Sequence, residues 1–318
     1  MKFLLAARRK REDTQERYFH EWGVIHVALM ITNPSTHKAF TRYAQHYTIN
    51  EVDDGLLWFA RSDMAWDGMS DHWLHGMEEL KLAVSGGDYL ARMQPHKFGG
   101  DEFCVELTDG RELYEAPGFQ NGGVKLIHFL RKLPQYTETQ FDTRMRDEHA
   151  PLLLEALRPL GILRKYVQNP RLPLDPVLFK GSLFEKGGMG NHAMIEEFWF
   201  PGLEDLQRLR ASPAWDAIGD SYAALAATGS FSMVTTERVV FDYVTTGRQT
   251  PKPAVLTPGT LEWMIDQQGC AGFNIPKPPC ALPASNQGRR TQVVRSASSR
   301  VTSPSGVCVK SSYHWPIA

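Results

Sequence analysis

Val124-Lys125-Leu126-Ile127-His128-Phe129-Leu130-Arg131-Lys132 opens a stretch that runs through Thr137, Phe141, Met145 and His149 to Leu153. Its reading decides the fold, because the chain has already written it once. Lys2-Phe3-Leu4-Leu5-Ala6-Ala7-Arg8-Arg9 lies over Lys125 to Lys132, with Lys2 on Lys125. The register then holds without a gap: Thr14 falls on Thr137, Tyr18 on Phe141, Trp22 on Met145, His26 on His149 and Leu29 on Leu152. Similarity at one fixed offset is the mark of an internal repeat.

Each copy reads alike. A short apolar run ending in two cations predicts a strand, and a polar turn follows. Thr14 and Thr137 suit a helix N-cap, and Thr137-x-x-Gln140 forms a capping box. Tyr18, Trp22 and His26 then recur every fourth residue, as do Phe141, Met145 and His149. That spacing puts them on one face of a helix, turned toward the sheet. Beyond this point the copies diverge. Gly55–Ala60 reads as a strand, Asp63–Leu90 as mostly helical and Glu102–Leu107 as the last strand of copy one. In copy two, Asn191–Phe200 and Phe231–Phe241 read as strands and Leu203–Leu209 as a helix. The order is β-α-β-β-α-β, the split βαβ plan. The expected organisation is a first domain at 1–114, a turn-rich linker at 115–123, a second domain at 124–245 and a low-complexity, disordered tail at 246–318.

Composition supports that division. The chain has 318 residues, 42% hydrophobic and 22% charged, as in ordinary globular proteins. Net charge is −1, which argues against a general nucleic-acid surface. Residues 246–318 carry eight Lys/Arg and two acids, leaving 27 bases and 34 acids on 1–245. From Gln267 onward there is no acid at all. Such a tail reads as translation past an ancestral end or out of frame, with a disordered interaction tail as the alternative. Cys104 is the one cysteine of the body; Cys270, Cys280 and Cys308 lie in the tail without zinc-type spacing. No run approaches the roughly 18 apolar residues of a membrane span, and the N-terminal apolar run is too short for a secretory signal. A cytoplasmic protein is expected.

The pattern of strand, two cations, polar turn, then aromatic-x-x-x-Trp/Met-x-x-x-His-x-x-Leu resembles the EthD family of the dimeric α+β barrel superfamily. Asp147-Glu148-His149-Ala150-Pro151-Leu152 carries it best, with Met145 in place of the usual aromatic; copy one keeps Trp22 and His26 but has Val27-Ala28 for Ala-Pro. The resemblance covers about 1–245. It implies an α+β fold: two tandem ferredoxin-like domains whose sheets cover each other in one intramolecular barrel, as a monomer or a homodimer. Pockets would lie between each sheet and its helices. The superfamily spans cyclisation, dehydration, decarboxylation, isomerisation and monooxygenation, so the fold selects none of them.

His149 and His26 are the catalytic candidates, since a histidine serves as general acid or base near neutral pH. The structural reading, a hydrogen-bonded histidine locking helix to sheet, weighs about equally, and it falls more on His26. Tyr18, Trp22, Phe141, Met145, Phe198 and Trp199 are candidates to contact substrate, with plain core packing as the competing role. Tyr166 and His192 are weaker polar candidates. His72 and His75, read as one helical turn, look like surface histidines rather than a ligand set. The paired glycines form no phosphate loop, and Arg8–Arg11 reads as a solvated strand end. The expected activity is cofactor-free acid–base chemistry (elimination, isomerisation or a related lyase reaction) on a small hydrophobic, aromatic or polycyclic metabolite, with no metal. The alternatives are an oxidoreductase, cofactor-free or haem-using, and a non-catalytic accessory protein of an oxygenase system.

Overall fold

The computed structural model describes residues 1–87, 89, 91, 99–186 and 188–246; the expected tail lies outside them from residue 247 onward. Ten strands form one sheet among these residues: β1 Lys2–Ala7, β2 Phe40–Thr48, β3 Gly68–Leu74, β4 Phe103–Thr108, β5 Arg111–Glu115, β6 Val124–Leu130, β7 Lys165–Pro170, β8 Gly188–Met189, β9 Met194–Phe200 and β10 Phe231–Asp242. Their order is β5-β7-β9-β6-β10-β2-β3-β1-β4-β8.

That order contains two equivalent quartets, β2-β3-β1-β4 and β7-β9-β6-β10, each antiparallel and each with its first strand inside. This is the arrangement the β-α-β-β-α-β reading requires. Long last strands stitch the quartets together. The start of β10 pairs with β6, and its continuation, Thr235–Asp242, pairs with β2. On the other side β4 pairs with β1, the chain crosses Asp109-Gly110, and β5 pairs with β7. The Leu172 amide donates to the Leu107 carbonyl across this second seam at 2.7 Å. The sheet therefore closes into an intramolecular α+β barrel. Among the described residues no helix is long and apolar enough to cross a membrane.

Two expected elements are corrected. Gly55–Ala60 is not a strand: the Asp53 carboxylate accepts from the Gly55 amide and starts a 3-10 turn at Asp54–Leu56. Nor is Asp63–Leu90 mostly helical. It holds β3 and a helix at Met77–Ser85. Strand β3 hid from sequence reading because both its faces are buried and both carry polar groups, Ser70 and His72 on one and Asp71 on the other. Alternation of polar with apolar, the usual strand signal, is absent there.

The inward faces meet at a charged and aromatic centre. Lys2 Nζ lies 2.6 Å from Glu197 Oε2 and 3.6 Å from Asp71 Oδ2. Lys125 Nζ lies 2.8 Å from Glu197 Oε1 and 3.8 Å from Asp71 Oδ2. His46 Nε2 stands 3.2 Å from Asp71. All five are buried. Burial pushes both carboxyls up, and Glu197 pushes Asp71 up further, but the cations beside them win: Glu197 is held well below its ordinary pKa and Asp71 below its own. Lys2 sits over the Trp73 ring at 4.8 Å and Lys125 over the Trp199 ring at 4.2 Å. Below them Leu4, Ala6, Met69, Ile127, Phe129, Ile195, Phe231 and Met233 fill the barrel.

Breaking such a cluster from one side leaves buried charge uncompensated. Glu197→Ala, which leaves Lys2 and Lys125 to share Asp71 at 3.6 and 3.8 Å, should cost about 3–5 kcal/mol of stability in equilibrium urea unfolding. A loss below about 1 kcal/mol would show that the cluster does not hold the halves together.

Candidate functional site

The two repeated helices are built alike, down to an irregular turn. Helix Gln15–His20 runs into a π-helical turn at Glu21–His26, and helix Glu138–Arg144 into one at Met145–His149. Each wide turn ends on the repeated histidine. Such turns interrupt the regular ladder and leave a carbonyl to be satisfied from outside. A glutamine supplies the donor in both halves. Gln45 Nε2 donates to the Trp22 carbonyl at 3.1 Å and to the Tyr43 hydroxyl at 2.8 Å. Gln168 Nε2 donates to the Met145 carbonyl at 3.0 Å and to the Tyr166 hydroxyl at 2.7 Å. The Tyr-x-Gln pairs thus fix the helix at the turn that presents each histidine.

Around His149 lies a closed polar cluster between sheet and helices. His149 Nδ1 is hydrogen-bonded to the Ser221 hydroxyl at 2.8 Å. Its Nε2 has no hydrogen-bond partner and stands 3.8 Å from Glu196 Oε1. Glu196 accepts from Tyr222 at 2.7 Å, from Gln168 at 3.2 Å and, through a short contact, from Tyr166. The Tyr222 hydroxyl also meets His128 Nδ1 at 3.1 Å, and His128 Nε2 has no partner. Trp58 and Phe59, from the β2–β3 connection of the first half, stand edge-on to the His128 ring and close the cluster.

The first half differs. Here Ser70 occupies the position corresponding to Glu196, and Leu5 that of His128. A cavity of about 40 Å³ remains between sheet and helices, lined by Trp22, His26, Phe40, Ser70, His72 and Phe184 among others. Phe184 comes from the β7–β9 connection of the second half, so each half walls the other's helix–sheet layer.

The predicted residues separate accordingly. His149, Phe141, Met145 and Phe198 share the second layer, while His26, Trp22 and Tyr18 share the first, with Tyr18 packed on Trp22 at 5.6 Å. Trp199 is adjacent to Phe198 on the same strand and therefore points the opposite way, into the barrel, where its Nε1 donates to Glu237 at 2.6 Å. His72 is corrected from a surface histidine on a helix to a buried residue of β3, stacked on Tyr43 at 4.8 Å; His75 is exposed. Glu196, Tyr222, His128 and Gln168 escaped the sequence reading. The repeated Tyr43-x-Gln45 and Tyr166-x-Gln168 would have flagged part of the site. A haem does not fit these residues: the His149 ring is enclosed by Ser221, Tyr222 and Glu196, and the cavity beside His26 is far smaller than a macrocycle.

Residues 133–228, a segment that includes the His149 turn and Tyr222, match the family model of the EthD domain. Chalcone isomerase cfoK of Aspergillus candidus is similar at 22% identity over 202 residues, covering 62% of this chain and 78% of that protein. Among solved structures, an anthrone oxidase-like protein aligns at TM-score 0.47 and 12% identity, covering 75% of this chain and 92% of its own. The chlorite dismutase from Candidatus Nitrospira defluvii aligns at TM-score 0.41 and 10% identity, covering 84% and 94%.

Burial sets the histidines' charge state. It pulls His72 down to about 4, and His128 to about 3 with help from His149. Burial lowers His149 too, against the opposing pull of Glu196. A histidine whose folded pKa is depressed binds more protons when unfolded. Its contribution is therefore complete above pH 6.5 and is lost as pH falls toward the folded value. Stability should decline between pH 6.5 and 4, by at most about 1.4 kcal/mol per pH unit for each such histidine. Urea titrations at stepped pH check this, and a flat profile over that window would contradict it.

Proposed function

We propose that the chain is a cofactor-free acid–base enzyme that isomerises a small phenolic, polyketide-type aromatic metabolite. The observation that carries this reading is His149. Its Nε2 is unpartnered inside a buried cluster, while Ser221 orients the other ring nitrogen and Glu196 stands 3.8 Å away. With Nδ1–H donated to Ser221, Nε2 presents a lone pair to a ligand hydroxyl. It takes the phenolic proton, the electron pair of the phenolate drives bond formation within the ligand, and the imidazolium returns the proton to carbon. Atoms balance and no co-reactant is consumed. Glu196 stabilises the transient imidazolium. Tyr166 and Tyr222 hold their protons, because burial and Glu196 raise both far above the ordinary tyrosine value. The similarity to a chalcone isomerase supports an aromatic enone as the substrate class. Ring entry requires the Trp58–Phe59 segment to give way, after which Tyr222 and Phe198 offer stacking surfaces.

A second reading has its own observation. The cavity lies beside His26 and His72, which favours substrate binding in the first half. Two single variants separate the readings. With a 2′-hydroxychalcone as probe, loss of the enone absorbance reports turnover. His149→Ala should lower it about 10²–10⁴-fold with His26→Ala near wild type. The reverse result moves the site to the first half. Turnover kept by both variants, or none in the wild type across a panel of phenolic enones, sinks the acid–base reading.

The pH profile follows from the direction of the shift. His149 must be neutral to act as base, and its pKa is depressed. The rate should stay level from pH 8 down through 6.5 and fall only below it. A profile that already halves at or above pH 6.5 would count against His149 as the base.

A further inference from the structure

Away from both helix–sheet layers, one mixed cluster of donors among the described residues remains without a role. Cys104 and Glu106 are two residues apart on β4, so both project into the barrel. The short strand β8 runs beside β4 and leads the chain to His192. His192 Nδ1 lies 2.8 Å from Glu106 Oε1 and 4.0 Å from Cys104 Sγ. The His192 amide also donates to Glu106 Oε1 at 3.2 Å. All three side chains are buried. Gly190 has no side chain where the Glu106 carboxylate sits, and any Cβ there would collide with it. Cys104 and His192 line a pocket of about 340 Å³ that is also bordered by Trp66, Arg131 and Phe231, and Glu106 lies behind them.

We propose that Cys104, Glu106 and His192 bind one divalent metal ion of the zinc class, with a fourth position open to this pocket. The donor set is one thiolate, one imidazole and one carboxylate, the types that zinc combines. Tetrahedral bonds of about 2.0–2.3 Å hold neighbouring donors about 3.3–3.8 Å apart. The observed 2.8 and 4.0 Å bracket that range, so small side-chain rotations suffice. Three protein donors leave the remaining position to water or a ligand oxygen arriving through the pocket. Binding displaces the thiol proton to solvent and requires the neutral imidazole to carry its proton on Nε2, so that Nδ1 exchanges its hydrogen bond with Glu106 for the metal. The other grouping of such residues among the described residues, His46, Asp71 and Glu197, is a different case. Lys2 and Lys125 already supply its cations.

Cobalt(II) tests this in the full chain, after chelator treatment and with Cys270→Ser, Cys280→Ser and Cys308→Ser, so that Cys104 is the only thiol. One equivalent should bind and produce a thiolate-to-cobalt charge-transfer band in the near ultraviolet. Cys104→Ser should abolish the band. Glu106→Gln and His192→Ala should each weaken cobalt binding by more than the about tenfold that loss of an outer-shell partner gives. Zinc should raise the thermal midpoint of the parent and not that of Glu106→Gln, which keeps the side-chain volume and guards against a folding defect in the cysteine variant. No charge-transfer band at saturating cobalt, a band that survives in Cys104→Ser, or equal zinc stabilisation of the parent and Glu106→Gln would each overturn the proposal.

Discussion

Everything in this molecule depends on covering two open sheet faces. A four-stranded sheet with helices on one side leaves the other side to be buried by something else. Here each quartet covers the other, and the contact is charged as well as apolar. Lys2 reaches from β1 to Glu197 on β9, while Lys125 reaches from β6 to Asp71 on β3 as well as to Glu197. Each half holds pairs of its own, Lys125–Glu197 at 2.8 Å in the second and Lys2–Asp71 at 3.6 Å in the first, and Lys2–Glu197 at 2.6 Å joins them across the barrel. An isolated half would leave Lys2 paired only with Asp71 at 3.6 Å and would expose its barrel-facing apolar layer. The charged centre thus favours the assembled barrel over any partly joined state.

Closure also fixes the candidate sites. Because β10 passes from one quartet to the other, the connections between strands swing across the seams. The segment carrying Trp58 and Phe59 roofs the cluster around His149, and the segment carrying Phe179 and Phe184 packs into the layer holding His26. One frame then holds two chemically unequal layers. The second concentrates Glu196, Tyr166, Tyr222, His128 and His149 in a closed network. The first replaces that network with Ser70 and His72 and keeps a cavity. Similar backbones carry different chemistry at a few inward positions, Ser70 against Glu196 and Leu5 against His128.

The repeated π-turn shows how such a position is held. A histidine ends each wide turn, and Gln45 or Gln168 donates to a carbonyl of that turn. Both glutamines are fully buried. An unpaired polar group at that depth would be costly, and the hydrogen bonds to the turn carbonyl and the tyrosine hydroxyl remove that cost.

By itself the sequence pointed to a repeat and determined the strand–turn–helix opening of each half, both threonine caps and the inward direction of His26 and His149. These are local properties, set by spacing and capping chemistry over a few turns. It also placed Phe141, Met145 and Phe198 on buried surfaces. Only the tertiary structure decided that β3 is a strand, because its Ser70, Asp71 and His72 are polar residues buried by partners distant in sequence. It alone put Trp199 in the barrel instead of beside Phe198, brought Glu196 and Tyr222 to His149, and set Cys104 and Glu106 against His192. Those meetings join residues tens of positions apart. They depend on which strands pair and which faces become interior, and a charged side chain on a strand does not announce where its counterpart will come from.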